Sequence, residues 1–209
     1  MNALPRLFPS TSSSTASSPA PVSTCFLPSW LCAVAAALCL VSTPSRADDR
    51  SLAIYGDLGR AAHGSQGDSD LLAVGVMVPW VSFEATRSGP WSSYGDFFVS
   101  NWRAEQSTVG RSNYLQLGAV AMFRYRFAEG ASPWFVEGGI GATLMNHVYK
   151  TSDRQFSTAF QFTEALGIGR SFGDHGQQEI SLRVQHFSNG GIKEPNPGET
   201  FAKLRYAYH

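Results

Sequence analysis

Beyond residue 39 the chain has no cysteine, because Cys25, Cys32 and Cys39 all fall in one short segment near the N-terminus. What folds downstream is therefore neither a disulfide-held scaffold nor a thiol enzyme, and must be held by burial and hydrogen bonds. Charge is scarce too. Asp, Glu, Lys and Arg make up 15% of 209 residues, 16 basic against 16 acidic, well below the ~25% of an ordinary soluble domain. With no basic excess to neutralise phosphates, a nucleic-acid binder is excluded. Two further features are missing. No apolar run approaches the ~20 residues of a membrane-spanning helix, and no long stretch after residue 50 carries a helical stripe.

What is present near the N-terminus reads as an address. Residues 9–24 are rich in Ser, Thr, Pro and Ala, with no periodicity that could build a core. Trp30 to Val41 is an unbroken apolar run of 12 residues, followed by the small-x-small triplet Ser45-Arg46-Ala47 and then Asp48-Asp49. A secretory signal needs an apolar region of only ~7–15 residues before such a site. The expectation is a signal peptide over 1–47, cleaved after Ala47, and a mature domain over 48–209.

From residue 50 the period is two. Large apolar residues alternate through 72–80, where the even positions are apolar, and through 115–127, where the odd ones are. Trp134, Val136, Ile140, Ala142 and Leu144 repeat the pattern, as do Ile180, Leu182 and Val184, then Ala202, Leu204, Tyr206 and Tyr208. Alternating segments of about ten residues between Gly- and Pro-containing turns predict an all-β sheet or barrel. Eight strands are expected, near 50–60, 69–80, 95–105, 113–127, 132–147, 156–172, 177–188 and 200–208. The one long irregular region expected is 84–95.

Eight strands can make a soluble barrel with an apolar interior or a membrane barrel with an apolar exterior. The face opposite the apolar one decides between them. It carries Gln116, Gly118, Arg124, Arg126, Glu137, Gly139, Gly141, Glu179, Arg183, Gln185, Lys203 and Arg205. Charges and glycines suit a narrow lumen, and Trp80, Phe127, Trp134, Tyr206 and Tyr208 near strand ends suit an interfacial girdle. The expected architecture is an eight-stranded antiparallel transmembrane β-barrel.

One strand departs from the pattern. On the apolar face of 180–188, Ile180, Leu182 and Val184 are followed by His186 and Ser188. An unpaired polar group on a lipid face costs ~1–3 kcal/mol. Alternate residues on one face lie ~7 Å apart, so an imidazole can reach a serine oxygen and form a base–nucleophile unit. The following run, Asn189 to Glu199 (NGGIKEPNPGE), offers Asn189 and the Gly190-Gly191 backbone as hydrogen-bond donors to an oxyanion. It also contains a Pro/Gly-rich return that can hold a carboxylate near the histidine.

This run resembles the signature of the lipid A 3-O-deacylase family, known as PagL: His, an aromatic, Ser-Asn, any residue, Gly, Ile or Leu, Lys, then Pro-Asn and a glutamate. The close resemblance covers about 186–199. It implies an esterase exported to the bacterial outer membrane that hydrolyses the ester-linked acyl chain at the 3-position of lipid A. Ser188 would be the nucleophile and His186 the base, with Asn189 (side chain) and Gly191 (backbone) at the oxyanion hole. The resemblance implies neither metal nor cofactor. Its partners would be lipopolysaccharide and outer-membrane lipid, with no nucleic acid; a homodimer is left open.

The acid stays open between two residues. Glu199 matches the family's acid by its place after Pro-Asn-x-Gly, yet strand parity from Ala202, Leu204 and Tyr206 puts Thr200 outward and Glu199 inward. Glu164 shares the face of Phe160, Phe162, Leu166 and Ile168. A turn near Asp174-His175 sets Glu164 opposite His186, where cross-strand Cβ atoms lie ~4.5–5.5 Å apart. His63, His147 and His175 read as loop histidines without ligand spacing. The competing function is a non-enzymatic small barrel for adhesion or solute passage.

Overall fold

The computed structural model describes residues 51–62, 69–80, 89–105 and 110–209. The expected leader, its cleavage point at Ala47, and His63 lie outside the described residues. Eight strands run in chain order: β1 Ala53–Ala61, β2 Ser69–Pro79, β3 Trp91–Glu105, β4 Arg111–Arg126, β5 Trp134–Met145, β6 Phe160–Phe172, β7 Gln178–Ser188 and β8 Glu199–Tyr208. Each pairs antiparallel with its neighbours, and β1 pairs with β8 to close the barrel. Closure leaves no strand edge unpaired, as a sheet in hydrocarbon requires.

The alternation becomes an inside and an outside. Leu58, Ile140 and Leu166 are 63%, 68% and 71% exposed, whereas Asp57, Arg183 and Arg205 are 1%, 3% and 2% exposed. An apolar outer wall around a charged core is the reverse of a soluble barrel and marks the chain as a transmembrane one. Trp80, Trp91, Phe127, Trp134, Tyr206 and Tyr208 all project outward at one end, where the described chain begins and ends. They form an interfacial belt there.

The lumen at mid-height is filled by ion pairs. Asp57 accepts from Lys203 Nζ at 2.8 Å and from Arg205 Nε at 2.7 Å. Asp96 joins Arg183 at 3.0 Å, Arg205 at 2.8 Å and the Tyr55 hydroxyl. Glu137 takes Arg124 at 2.9 Å and the Tyr94 hydroxyl at 2.7 Å, and Glu179 takes the other side of Arg124 at 2.8 Å. Buried charges of both signs, each with several partners, are what makes such a core tolerable. Small residues create the room: a Cβ at Gly118 would enter the Phe98 ring.

Toward the other end the interior changes character, against the expectation of a polar inner face throughout. Trp102, fully buried, packs edge-on against Phe187 (centroids 4.8 Å) and Tyr149 (5.2 Å) and tilted on Phe201 (4.5 Å). Phe156 completes this aromatic plug from the same loop as Tyr149.

Two strand starts differ most from the expectation. β3 begins at Trp91, so the irregular region expected over 84–95 ends earlier. Ser92, Ser93 and Gly95 hide the alternation, but Trp91–Gly95 pairs with Ala121–Tyr125 all the same. β6 begins at Phe160 rather than 156, because 146–159 forms a long β5–β6 loop that turns inward. That loop was expected to be short; the burial of Tyr149 and Phe156 gives the reason for its length.

Candidate active site

The candidate residues gather at the plugged end of the barrel, on its outer wall. Ser188 is the last residue of β7 and His186 lies two before it, both half-buried and on the face of Leu182 and Val184. Between them Phe187 points inward onto Trp102, so the aromatic plug backs the wall that carries the pair. The strand is pinned locally, since Thr163 Oγ1 donates to the His186 carbonyl at 2.7 Å.

Register sets the neighbours. Glu164 of β6 stands directly opposite His186, on the outer face and exposed, as the turn position predicts. On the other side β8 places Thr200 opposite His186 and Glu199 opposite Phe187. Thr200 is outward, and its hydroxyl lies 2.8 Å from His186 Nδ1. Glu199 is inward and 2% exposed. Its Oε2 accepts from the Tyr149 hydroxyl at 3.1 Å, and its Oε1 accepts from the Thr200 amide at 3.0 Å. Burial and the Glu199 carboxylate raise the Tyr149 hydroxyl's pKa well above the ordinary phenol range, so Tyr149 stays protonated and donates. The Ser188 hydroxyl forms no hydrogen bond among the described residues, which leaves it open to a ligand; serine–histidine bonds are often loose before substrate arrives.

The loop after Ser188 is folded on itself. Asn189 is 1% exposed. Its Nδ2 donates to Ser157 Oγ at 2.8 Å and to the Lys193 carbonyl at 2.7 Å, and its Oδ1 accepts from the Gly191 amide at 2.9 Å. Both donors expected at the oxyanion hole are thus engaged, Gly191 within this loop and Asn189 both within it and with Ser157 of the β5–β6 loop. The long β5–β6 loop clasps it from the side. Ser157 Oγ donates to the Lys193 carbonyl at 2.6 Å, and Arg154 Nη1 donates to the Gly198 carbonyl at 3.0 Å.

Sequence reasoning missed Arg154, Ser157, Tyr149 and Trp102 as supports. Nothing in a linear pattern marks a loop residue that bonds another loop. Thr200 was legible as outward, though its bond to the imidazole was not. His147 and His175 are exposed loop residues, and no cluster of metal-ligating side chains occurs among the described residues.

Fold and site together define an integral outer-membrane β-barrel that presents an imidazole, a hydroxyl and a carboxylate on its lipid-facing wall. The sequence profile described as lipid A 3-O-deacylase (PagL) matches residues 72–209, and the chain belongs to that family of ester hydrolases. It is 38% identical over 110 residues to the lipid A deacylase PagL of Bordetella bronchiseptica, covering 53% of this chain and 58% of that protein. It is 28% identical over 148 residues to the lipid A deacylase PagL of Pseudomonas aeruginosa, covering 70% of this chain and 82% of that one. The match thus spans somewhat over half of the Bordetella protein's length. A crystal structure of the outer membrane enzyme PagL superposes with a TM-score of 0.58 at 23% identity, over 75% of this chain and 99% of that one, a likeness of fold.

Proposed function

We propose that the chain is a lipid A deacylase that removes the ester-linked acyl chain at the 3-position by a serine-hydrolase mechanism on the outer wall of the barrel. The observation that carries this reading is the placement of His186 and Ser188 on the lipid-facing side of one strand, at the rim, beside an exposed Glu164. A soluble esterase keeps such groups in a cleft. Here the substrate is itself a lipid of the surrounding leaflet, so the wall is where its ester arrives.

In the reaction Ser188 Oγ attacks the ester carbonyl carbon while His186 Nε2 takes the hydroxyl proton. The ester C–O bond then breaks, and the sugar oxygen leaves with that proton. Water reaching the site from the headgroup side gives a proton to the imidazole as it attacks the acyl-serine; the bond from the acyl carbon to Ser188 Oγ breaks, Oγ takes that proton back from His186, and a 3-hydroxy fatty acid is released. Asn189 and the Gly191 amide stabilise the oxyanion by exchanging their loop bonds for bonds to the substrate oxygen. Two carboxylates offset the imidazolium charge: Glu199 from behind the wall and Glu164 from the opposite strand.

The filled lumen counts against solute passage as the function. The decisive test uses purified protein in detergent with lipopolysaccharide. Release of a 3-hydroxy fatty acid, lost by at least ~10³-fold in Ser188→Ala with the barrel still folded, supports the reading. Equal release by the variant refutes it.

A further inference from the structure

Resting on the reading above, we propose that the Thr200 hydroxyl is the group that orients His186 in this chain, at the position where a serine hydrolase places a carboxylate. Three observations lead there. The register sets Thr200, not Glu199, across from His186. The Thr200 Oγ1 to His186 Nδ1 distance is 2.8 Å. The Glu199 side chain points to the other side of the wall, where its two oxygens accept from the Tyr149 hydroxyl and the Thr200 amide.

The two neighbours therefore divide one task. Inside the wall Glu199 holds the backbone of Thr200; outside it Thr200 holds the ring. A period of two makes this division unavoidable, because adjacent residues of a strand face opposite sides. The β-branched threonine suits the place, since its χ1 is restricted and its hydroxyl is held in one direction. With Nδ1–H donating to Oγ1, the lone pair of Nε2 is left to take the Ser188 proton. A neutral hydroxyl also avoids a second carboxylate beside Glu164 on a face that meets lipid, where charge is costly.

Thr200 acts through the histidine and is thus a positioning residue, with two tests suited to that role. The first is a kinetic series on the full barrel in detergent. Thr200→Val, nearly isosteric, should lower kcat about tenfold or more with KM little changed, and Thr200→Ser should recover kcat to within about threefold. The second is the ¹⁵N NMR spectrum of His186 in the wild-type barrel, which should show the Nδ1-protonated tautomer; Thr200→Val should lose that preference. Wild-type kcat in Thr200→Val, or a wild-type histidine protonated on Nε2, overturns the assignment of Thr200. The failure of the deacylase reading is separate: wild-type protein releasing no fatty acid refutes the activity, while the tautomer still reports on Thr200.

Discussion

Gly198 is packed against the ring of His186 so closely that a Cβ at this position would stand 2.6 Å from Cε1 and 3.0 Å from Nε2. The glycine also has φ +63°, a left-handed conformation that costs other residues roughly 1–2 kcal/mol. Its carbonyl is held by Arg154. One residue thus closes the loop and bounds the Cε1–Nε2 side of the imidazole. Gly198→Ala should fold into a barrel yet lose about tenfold or more in kcat, because the ring must swing away from its Thr200 partner. Fatty-acid release measured beside circular dichroism checks this, and a variant of wild-type rate would show that the ring's position is set elsewhere.

Trp102 ties the plug to the site from within. It touches Phe187, the residue between the two reactive side chains, and Phe201, next to Thr200. Removing it empties a fully enclosed volume, a change that costs ~3–5 kcal/mol in such cores. Trp102→Ala should lower unfolding stability by that order and reduce kcat with it, whereas Trp102→Phe should keep most of both. Denaturant titration in detergent, followed by assay of the folded fraction, measures the two effects apart.

Asp57 accepts from Lys203 and twice from Arg205, all nearly fully buried. Asp57→Asn keeps the shape and removes the charge, leaving two buried cations short of a partner. Breaking a buried pair in this way costs ~3–5 kcal/mol, and the loss should appear as a lower unfolding midpoint. The same packed lumen predicts no single-channel conductance for wild-type protein in a planar bilayer. Steady ohmic steps would contradict the filled interior and favour a pore.

Much of this molecule was legible in order. Period-two alternation showed eight strands, and the chemistry of the second face showed which side met lipid. The letters did not carry the start of β3, where Ser92, Ser93 and Gly95 interrupt the apolar pattern while Trp91–Gly95 still pairs with β4. Nor did they carry the inward path of 146–159, since burial of Tyr149 and Phe156 depends on rings contributed by β3 and β4.

The sequence by itself determined the faces: which residues point to lipid, which to the lumen, and that His186, Ser188, Glu164 and Thr200 share the outer one. Parity suffices for that, because neighbouring side chains on a strand must alternate. Only the tertiary structure decided who meets whom. The bond from the imidazole to Thr200, the withdrawal of Glu199 to Tyr149, and the clasp of Arg154 and Ser157 on the active loop all join segments distant in the chain. Such contacts follow from strand register and loop packing, which no local pattern encodes.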